Sequence, residues 1–294
     1  MRRCAFLTLE ESAGYFIDDE LAYGPLSDLG WVVDAVPWTR AGVAWGDFAA
    51  VVIRSTWDYT RDPDRFLLVL AEIERSGTRL FNPLDLVRWN LRKTYLRELA
   101  EGGVPVVPTV WRDRLLPGQL PGLLEEVGAV EAVIKPVIGG GARGAYRLDR
   151  GSPRELMAAV EAHYADRALM AQPFVPAITA EGEFSLFYFN GQHSHTVLKT
   201  PKAEDFRVQP EHGGIIRAVE AEEALHAAGK IVLGALGEAP LYARADFVRA
   251  NEGGGFWLME LELIEPSLYL RMDAAAPVRF ARALHERFTE EAGS

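Results

Sequence analysis

The chain has 294 residues, 49% of them hydrophobic and 25% charged, an ordinary globular composition with enough apolar side chain to bury a core divided over two or three subdomains. With 31 lysines and arginines against 42 aspartates and glutamates, the net charge of -11 opposes non-specific attraction to nucleic acid or an anionic membrane. One cysteine, Cys4, rules out an intrachain disulfide, and its place in an apolar first strand makes it a core residue. The opening apolar stretch is broken at Thr8 and Glu10, too early for a signal peptide, and no run reaches the ~20 residues of a membrane span. A cytoplasmic protein without nucleic-acid or membrane partners is expected.

In chain order, apolar runs at 3–7, 31–36, 49–54 and 79–81 alternate with helical patterns at 18–29 and 63–76. That β-α-β rhythm predicts an open, mostly parallel sheet. Ligands bind beyond the carboxyl ends of such strands, so Glu10, Glu11 and Ser12, and then Arg54, Ser55, Thr56, Trp57, Asp58 and Tyr59, form candidate ligand loops. A helix is predicted over 84–99, ended by Gly102 and Gly103. Strand-like 104–111 follows, then a loop at 117–121, a short helix at 123–127 and a strand at 132–138. Ser152-Pro153-Arg154-Glu155 has the spacing of a capping box and opens a helix to about residue 164. Next come a strand at 169–175 and a hairpin whose strands, 184–189 and 193–199, turn at Asn190-Gly191. A helix at 220–236, two strands and a closing helix at 276–290 complete the chain. The fold class is α/β (α+β), with an N-terminal α/β unit over 1–83 and α+β units over 84–175 and 176–294.

The two strands before the closing helix carry the strongest chemical signal. Residues 242–248 and 256–263 alternate as strands around a turn-rich 251–255. With the turn centred on Gly253, Asp246 faces Glu260, Arg244 faces Glu262, and all four side chains share one face. Facing carboxylates among Phe247, Leu258, Leu261 and Leu263 repel one another and call for a cation. Carboxylate oxygens select a hard ion such as Mg2+, which commonly combines a few protein carboxylates with substrate phosphates. A solvated outer face, with Arg244 simply neutralising Glu262, stays open as the plainer alternative.

A second signal lies at 134–144. Gly139, Gly140, Gly141 and Gly144 let backbone N–H groups approach phosphate oxygens, and Lys135 stands beside them. Their spacing matches G-x-G-x-x-G, the mark of a dinucleotide-dependent oxidoreductase, but 145–148 alternates like a strand where that motif needs a helix. No Lys-Ser/Thr pair follows, which excludes a Walker loop. A hairpin tip is the plain alternative. Lys93, Lys199 and Lys202 stand in suggestive settings, although each alone would pass for a surface lysine. His193 and His195 share a strand face and fit a polar strand surface better than a metal site.

Taken in order over about 84–270, these features resemble the ATP-grasp superfamily. Members carry a first lysine before the central subdomain, a second on the strand ahead of a glycine-rich loop, a hinge strand against adenine, a basic strand and an acidic hairpin. The resemblance implies an ATP-grasp fold, with two α+β units clasping ATP beside the N-terminal open-sheet unit, and ATP and Mg2+ as cofactors. It implies that Lys93 and Lys135 bind phosphate oxygens with Gly139, Gly140, Gly141 and Gly144. Gln172, Phe174 and Val175 would lie against adenine, and Glu181 or Glu183 would reach the ribose or the substrate. Lys199, Lys202 and Arg207 match the basic strand near the transferring phosphoryl group. Asp246, Glu260 and Glu262 stand at the magnesium ligands, with Glu265 as the alternative, because Glu260-Leu261-Glu262 replaces the Glu-x-Asn of many members. Lys135, Lys199 and Arg244 would be the catalytic cations.

The layout is similar to that of prokaryotic glutathione synthetases and ribosomal-protein glutamate ligases, but Ser185 stands where their substrate-binding arginine is expected. Residues 54–59, Asn82-Pro83, Arg88-Trp89-Asn90 and 260–270 resemble instead the cyclo-ligase of D-cycloserine biosynthesis, which acts on O-ureido-serine. That implies a ligase forming a C–N bond by converting a small-molecule carboxylate to an acyl phosphate, with ring closure within one molecule. The substrate pocket would draw on Arg54, Ser55, Thr56, Trp57, Asp58, His212, Gly213 and Ser267. An amino-acid or peptide ligase of the glutathione-synthetase kind and a non-catalytic nucleotide-binding protein are the alternatives, and a homodimer is compatible with each.

Overall fold

The computed structural model describes residues 1–203, 205–251 and 254–292, and its strands fall into three sheets that do not interleave in sequence. The first is parallel, with β1 (Arg2–Thr8), β2 (Trp31–Pro37), β3 (Ala50–Ser55) and β4 (Arg79–Phe81) in the order β2-β1-β3-β4. Every residue of β3 is buried, as its unbroken apolar run leads one to expect of a central parallel strand. One face of this sheet packs Leu7, Val51 and Ile53 against Phe66, Leu70 and Ile73 of helix Pro63–Arg75. The other packs Phe6 and Val52 against Phe280 and Leu284 of the closing helix Ala276–Ala292, together with Phe187 and Tyr242 of the third sheet. The two ends of the chain therefore share one core.

The second sheet is antiparallel, with β5 (Val110–Arg112), β6 (Glu131–Pro136), β7 (Tyr146–Asp149) and β8 (Leu169–Pro173) in the order β5-β8-β6-β7. The third is also antiparallel: β9 (Glu183–Phe189), β10 (Gln192–Thr200), β11 (Ile215–Ala218), β12 (Tyr242–Arg249) and β13 (Phe256–Glu262), ordered β11-β10-β9-β12-β13. Asn190 and Gly191, at φ 47° and 73°, supply the two positive angles of the tight turn between β9 and β10. Among the described residues no helix is long and apolar enough to cross a membrane. The chain has the mixed α/β architecture of the expected fold class.

Several expectations need correction. The helix expected over 84–99 is two helices, Leu84–Asn90 and Tyr95–Glu101, and in the break the Lys93 N–H bonds the Val137 carbonyl at 2.9 Å. The strand expected over 104–111 shrinks to β5 and one bridge from Val106 to Leu258, because Pro105 and Pro108 withhold ladder donors. No capping box forms at Ser152, whose hydroxyl donates to the Asp149 carboxylate at 3.1 Å and accepts the Asp149 N–H at 3.0 Å. His193 and His195 do not share a face, since a bulge falls between them. His195 is buried, stacked on Phe187 with ring centroids 4.3 Å apart. Gly253, the expected centre of the acidic hairpin's turn, lies outside the described residues.

Candidate active site

In the pairing of β12 with β13, Asp246 faces Glu260 and Arg244 faces Glu262, as strand parity requires. A bulge just beyond Asp246 then brings Phe247 opposite Leu258, and both side chains enter the apolar core. Oxygens of Asp246, Glu260 and Glu262 lie within 4.8 Å of one another. Cations surround them. Arg244 donates to Asp246 from Nε at 3.0 Å and Nη2 at 2.9 Å, and also to Glu262. Lys199 Nζ, on β10, lies 3.3 Å from Asp246 and 2.9 Å from Glu183, and the Ser185 hydroxyl donates to Asp246. Lys93 Nζ reaches Glu260 at 2.5 Å and the Gly139 carbonyl at 2.9 Å, so the helix break at Lys93 ties the glycine segment to the acidic strand.

Burial disfavours charge on Asp246, but Arg244 and Lys199 outweigh it and hold the carboxyl at about 2. Glu262 behaves oppositely. Burial pushes it up to about 7, with Arg244 pulling against that and Glu260 and Asp246 adding to it. Burial and the Glu262 charge likewise raise Glu265 to about 8. A cation among the three gathered oxygens would relieve this repulsion, so the donor set fits a hard divalent ion such as Mg2+. Glu262 belongs to that set and Glu265 does not. The Lys135 side chain, half-buried on β6, makes no hydrogen bond or ion pair among the described residues, and burial draws its ammonium below the ordinary lysine value against the pull of Glu260.

These groups line a cleft of about 400 Å³, within the range of small-molecule sites. Its lining includes Gln172, Phe174, Val175, Lys93, Lys135, Gly139, Gly140 and Gly141, together with Trp57, His212, Ser267 and Glu265. Glu183, Lys199, Arg207, Arg244 and the three carboxylates line it too. The glycine segment contributes to the lining, its Gly141 carbonyl 3.3 Å from His212 Nε2 and its Arg143 donating to the Trp57 carbonyl at 3.4 Å. Gly141 adopts φ 62°, a left-handed angle that a bulkier residue resists.

Other expected residues stand elsewhere. Glu181 is held by Arg249 through both oxygens at 2.8 Å, away from the cleft lining. Lys202 is exposed, and Gly144 is not part of the lining, its carbonyl accepting the Tyr164 hydroxyl. Arg54 is a buried strut that donates to Asp19 at 3.0 Å and to the Pro266 carbonyl at 2.9 Å. Ser55 and Thr56 are fully buried, Asp58 accepts the Trp38 indole N–H at 2.7 Å, and Gly213 caps a short turn, so none of these lines the cleft. Conversely Tyr15, Thr60, Arg143 and Tyr269 line it unforeseen. Their signal in sequence is faint: Tyr15 is an isolated loop residue, Thr60 lies in a single short turn of helix, and the positive φ of 46° at Tyr269 is invisible without coordinates.

The family model of the N-terminal domain of D-cycloserine synthetase DcsG matches residues 4–82. The cycloserine biosynthesis protein DcsG of Streptomyces lavendulae is 33% identical over 273 residues, which cover 88% of this chain and 90% of that protein. The crystal structure of D-cycloserine synthetase DcsG superposes with a TM-score of 0.83 at 28% identity, over 97% of this chain and 99% of its own. D-alanine–D-alanine ligase of Bacillus anthracis shares the fold at a TM-score of 0.70 and 14% identity, over 99% of this chain and 97% of that one. At such identity across nearly the whole of both chains, the protein belongs to the DcsG family of ATP-grasp ligases.

Proposed function

We propose that this ATP- and Mg2+-dependent C–N ligase closes a ring within one small substrate molecule. A substrate carboxylate attacks the γ-phosphorus of ATP, releasing ADP and forming an acyl phosphate; a nitrogen of the same molecule then attacks the acyl carbon and phosphate leaves. The carrying observation is the hairpin that gathers Asp246, Glu260 and Glu262 beside Arg244 in the one cleft that Lys135 also lines, its side chain without a hydrogen-bond or ion-pair partner among the described residues. The named role of the Streptomyces relative in cycloserine biosynthesis supports the cyclic product.

Lys93, Lys135 and the N–H groups of Gly139, Gly140 and Gly141 hold phosphate oxygens, and Gln172, Phe174 and Val175 bound the adenine. Glu183 faces the ribose side, while Lys199, Arg207 and Arg244 offset charge on the transferring phosphoryl group. Asp246, Glu260 and Glu262 hold Mg2+, which when bound neutralises phosphate charge. Trp57, His212 and Ser267 contact the substrate, joined by Tyr15 and Tyr269. The glycine segment, closed onto Trp57 and His212, keeps water from the acyl phosphate. Units 1–83, 84–175 and 176–294 are the bodies between which the nucleotide is clasped; non-interleaved sheets support that division. Every residue invoked belongs to one chain, so a homodimer is not required, and the cytoplasm supplies ATP and Mg2+.

Incubation with ATP, Mg2+ and O-ureido-serine should release ADP in step with substrate loss and a cyclised product seen by mass spectrometry. ADP release that requires a second amino acid would replace ring closure by intermolecular ligation. Asp246→Asn with Glu260→Gln should abolish Mg2+-dependent ADP formation, and unchanged turnover would sink the metal assignment.

A further inference from the structure

Among the described residues the acidic strand β13 is an outer strand of its sheet, and at Leu258 its free edge bonds the main chain of Pro105 and Val107. Over 261–263, side chains from the segment after the first sheet cover that edge instead. Asn90, at the end of helix Leu84–Asn90, donates from Nδ2 to the Leu261 carbonyl at 2.8 Å and accepts the Leu263 N–H on Oδ1 at 2.9 Å. Those two main-chain groups flank Glu262. The Tyr95 hydroxyl accepts the Leu261 N–H at 2.9 Å, and Asn82 Nδ2 donates to the Leu263 carbonyl at 2.7 Å. Asn82 also ties this edge to β12, donating to the Tyr242 carbonyl at 3.0 Å and accepting the Leu241 N–H at 2.8 Å. Asn82, Asn90 and Tyr95 are all buried. Lys93, between Asn90 and Tyr95, grips the Glu260 side chain.

We propose that Asn90 is a positioning residue for the divalent metal. It bonds the main chain on both sides of Glu262 as a neighbouring strand would, and thereby fixes where that carboxylate stands relative to Asp246 and Glu260. This rests on the three carboxylates being the Mg2+ ligands. A carboxamide suits the task because it presents one acceptor and a donor pair on one flat group, matching the N–H and C=O that a strand offers on one edge. Asparagine's near-isostere leucine offers neither, and aspartate keeps only the acceptor. The alternating ladder explains why the grip acts on Glu262: residues 261 and 263 turn their main-chain groups outward to Asn90, while Glu260 and Glu262 pair inward with Asp246 and Arg244.

The test is Mn2+ binding to the enzyme–ADP complex, followed by electron paramagnetic resonance, beside ADP binding measured without metal. Asn90→Leu should weaken Mn2+ binding by about ten-fold or more, the usual scale for loss of a group that orients a metal ligand, and leave metal-free ADP binding unchanged. Asn90→Asp, which keeps the Leu263 bond, should weaken it less and serves as the variant if leucine prevents folding. Gly229→Ala, which strikes the helix packed on Tyr188, controls for loss of stability and should leave Mn2+ affinity alone. Unchanged Mn2+ affinity in folded Asn90→Leu or Asn90→Asp, while Glu262→Gln weakens it, overturns the positioning role and leaves the metal site standing. If Glu262→Gln also binds Mn2+ normally, the metal assignment itself fails.

Discussion

Arg54 and Lys135 are cations of similar promise in sequence and opposite employment in the fold. Arg54 stands next to last in β3, before Ser55 ends it, where a parallel sheet presents ligand loops, yet its guanidinium is committed to Asp19 and the Pro266 carbonyl. Arg54→Met would leave the buried Asp19 without its partner, a change that typically costs about 3–5 kcal/mol. A lower denaturation midpoint with an O-ureido-serine KM within about two-fold of the parent is the expected outcome; a raised KM at full stability would return Arg54 to the substrate site. The Lys135 side chain has no hydrogen bond or ion pair among the described residues to lose, and its burial already weighs against its charge. Lys135→Ala should therefore leave the melting temperature nearly unchanged while raising the ATP KM by ten-fold or more in initial-rate assays, about 1.4 kcal/mol of binding. The sequence shows which residues carry charge near a strand end. It does not show which way a loop side chain turns once the strand's alternation stops.

At the scale of elements, the acidic hairpin was the most legible part of the site. Asp246, Glu260 and Glu262 share a face because alternation along each strand is local and the register follows from it. The bulge beside Asp246 was not legible, since it answers to the core packing of Phe247 and Leu258 on opposite strands. Nor was the break at Lys93, whose N–H is captured by Val137, far along the chain. Helix–sheet packing is equally demanding elsewhere. Helix Glu223–Gly234 lies so close to β9 that a Cβ on Gly229 would stand 1.9 Å from the Tyr188 hydroxyl oxygen. Gly229→Ala should destabilise by about 1–3 kcal/mol, the usual cost of overpacking, read as a lower melting temperature. A melting temperature equal to the parent's would mean that this interface yields at little cost.

Across the whole molecule, stability should depend on pH through the two histidines of β10. Burial first, and then His226 and Arg279 for His193, lower both from 6.5 to about 4, so each is neutral in the fold. For His195 the Leu268 carbonyl, accepting a hydrogen bond, only partly opposes burial. A histidine with a depressed folded pKa contributes stability that is present above 6.5 and lost as pH falls through 4. The Glu262 and Glu265 carboxyls, raised to about 7 and 8, act in the reverse sense over higher pH, so the readout is a difference between proteins. The melting temperature of His195→Phe should fall less than that of the parent between pH 6.5 and 4, by an amount equivalent to about 1–3 kcal/mol. Parallel curves for the two proteins would assign the acid sensitivity elsewhere.

The sequence by itself determined much of the order of strands and helices, though not β11 or the helix break at Lys93, along with the strand that follows the glycine segment and the parity that gathers the acidic residues. Each of these depends on periodicity within a short stretch, which a chain carries wherever it is folded. Only the tertiary structure decided that Trp57 faces the cleft and Arg54 does not, that Tyr15 and Tyr269 line it, and that Asn82 and Asn90 serve as the missing neighbour of β13. Those contacts join segments far apart in the chain, and their meeting is set by how three sheets and the closing helix pack around shared apolar cores, which no local pattern encodes.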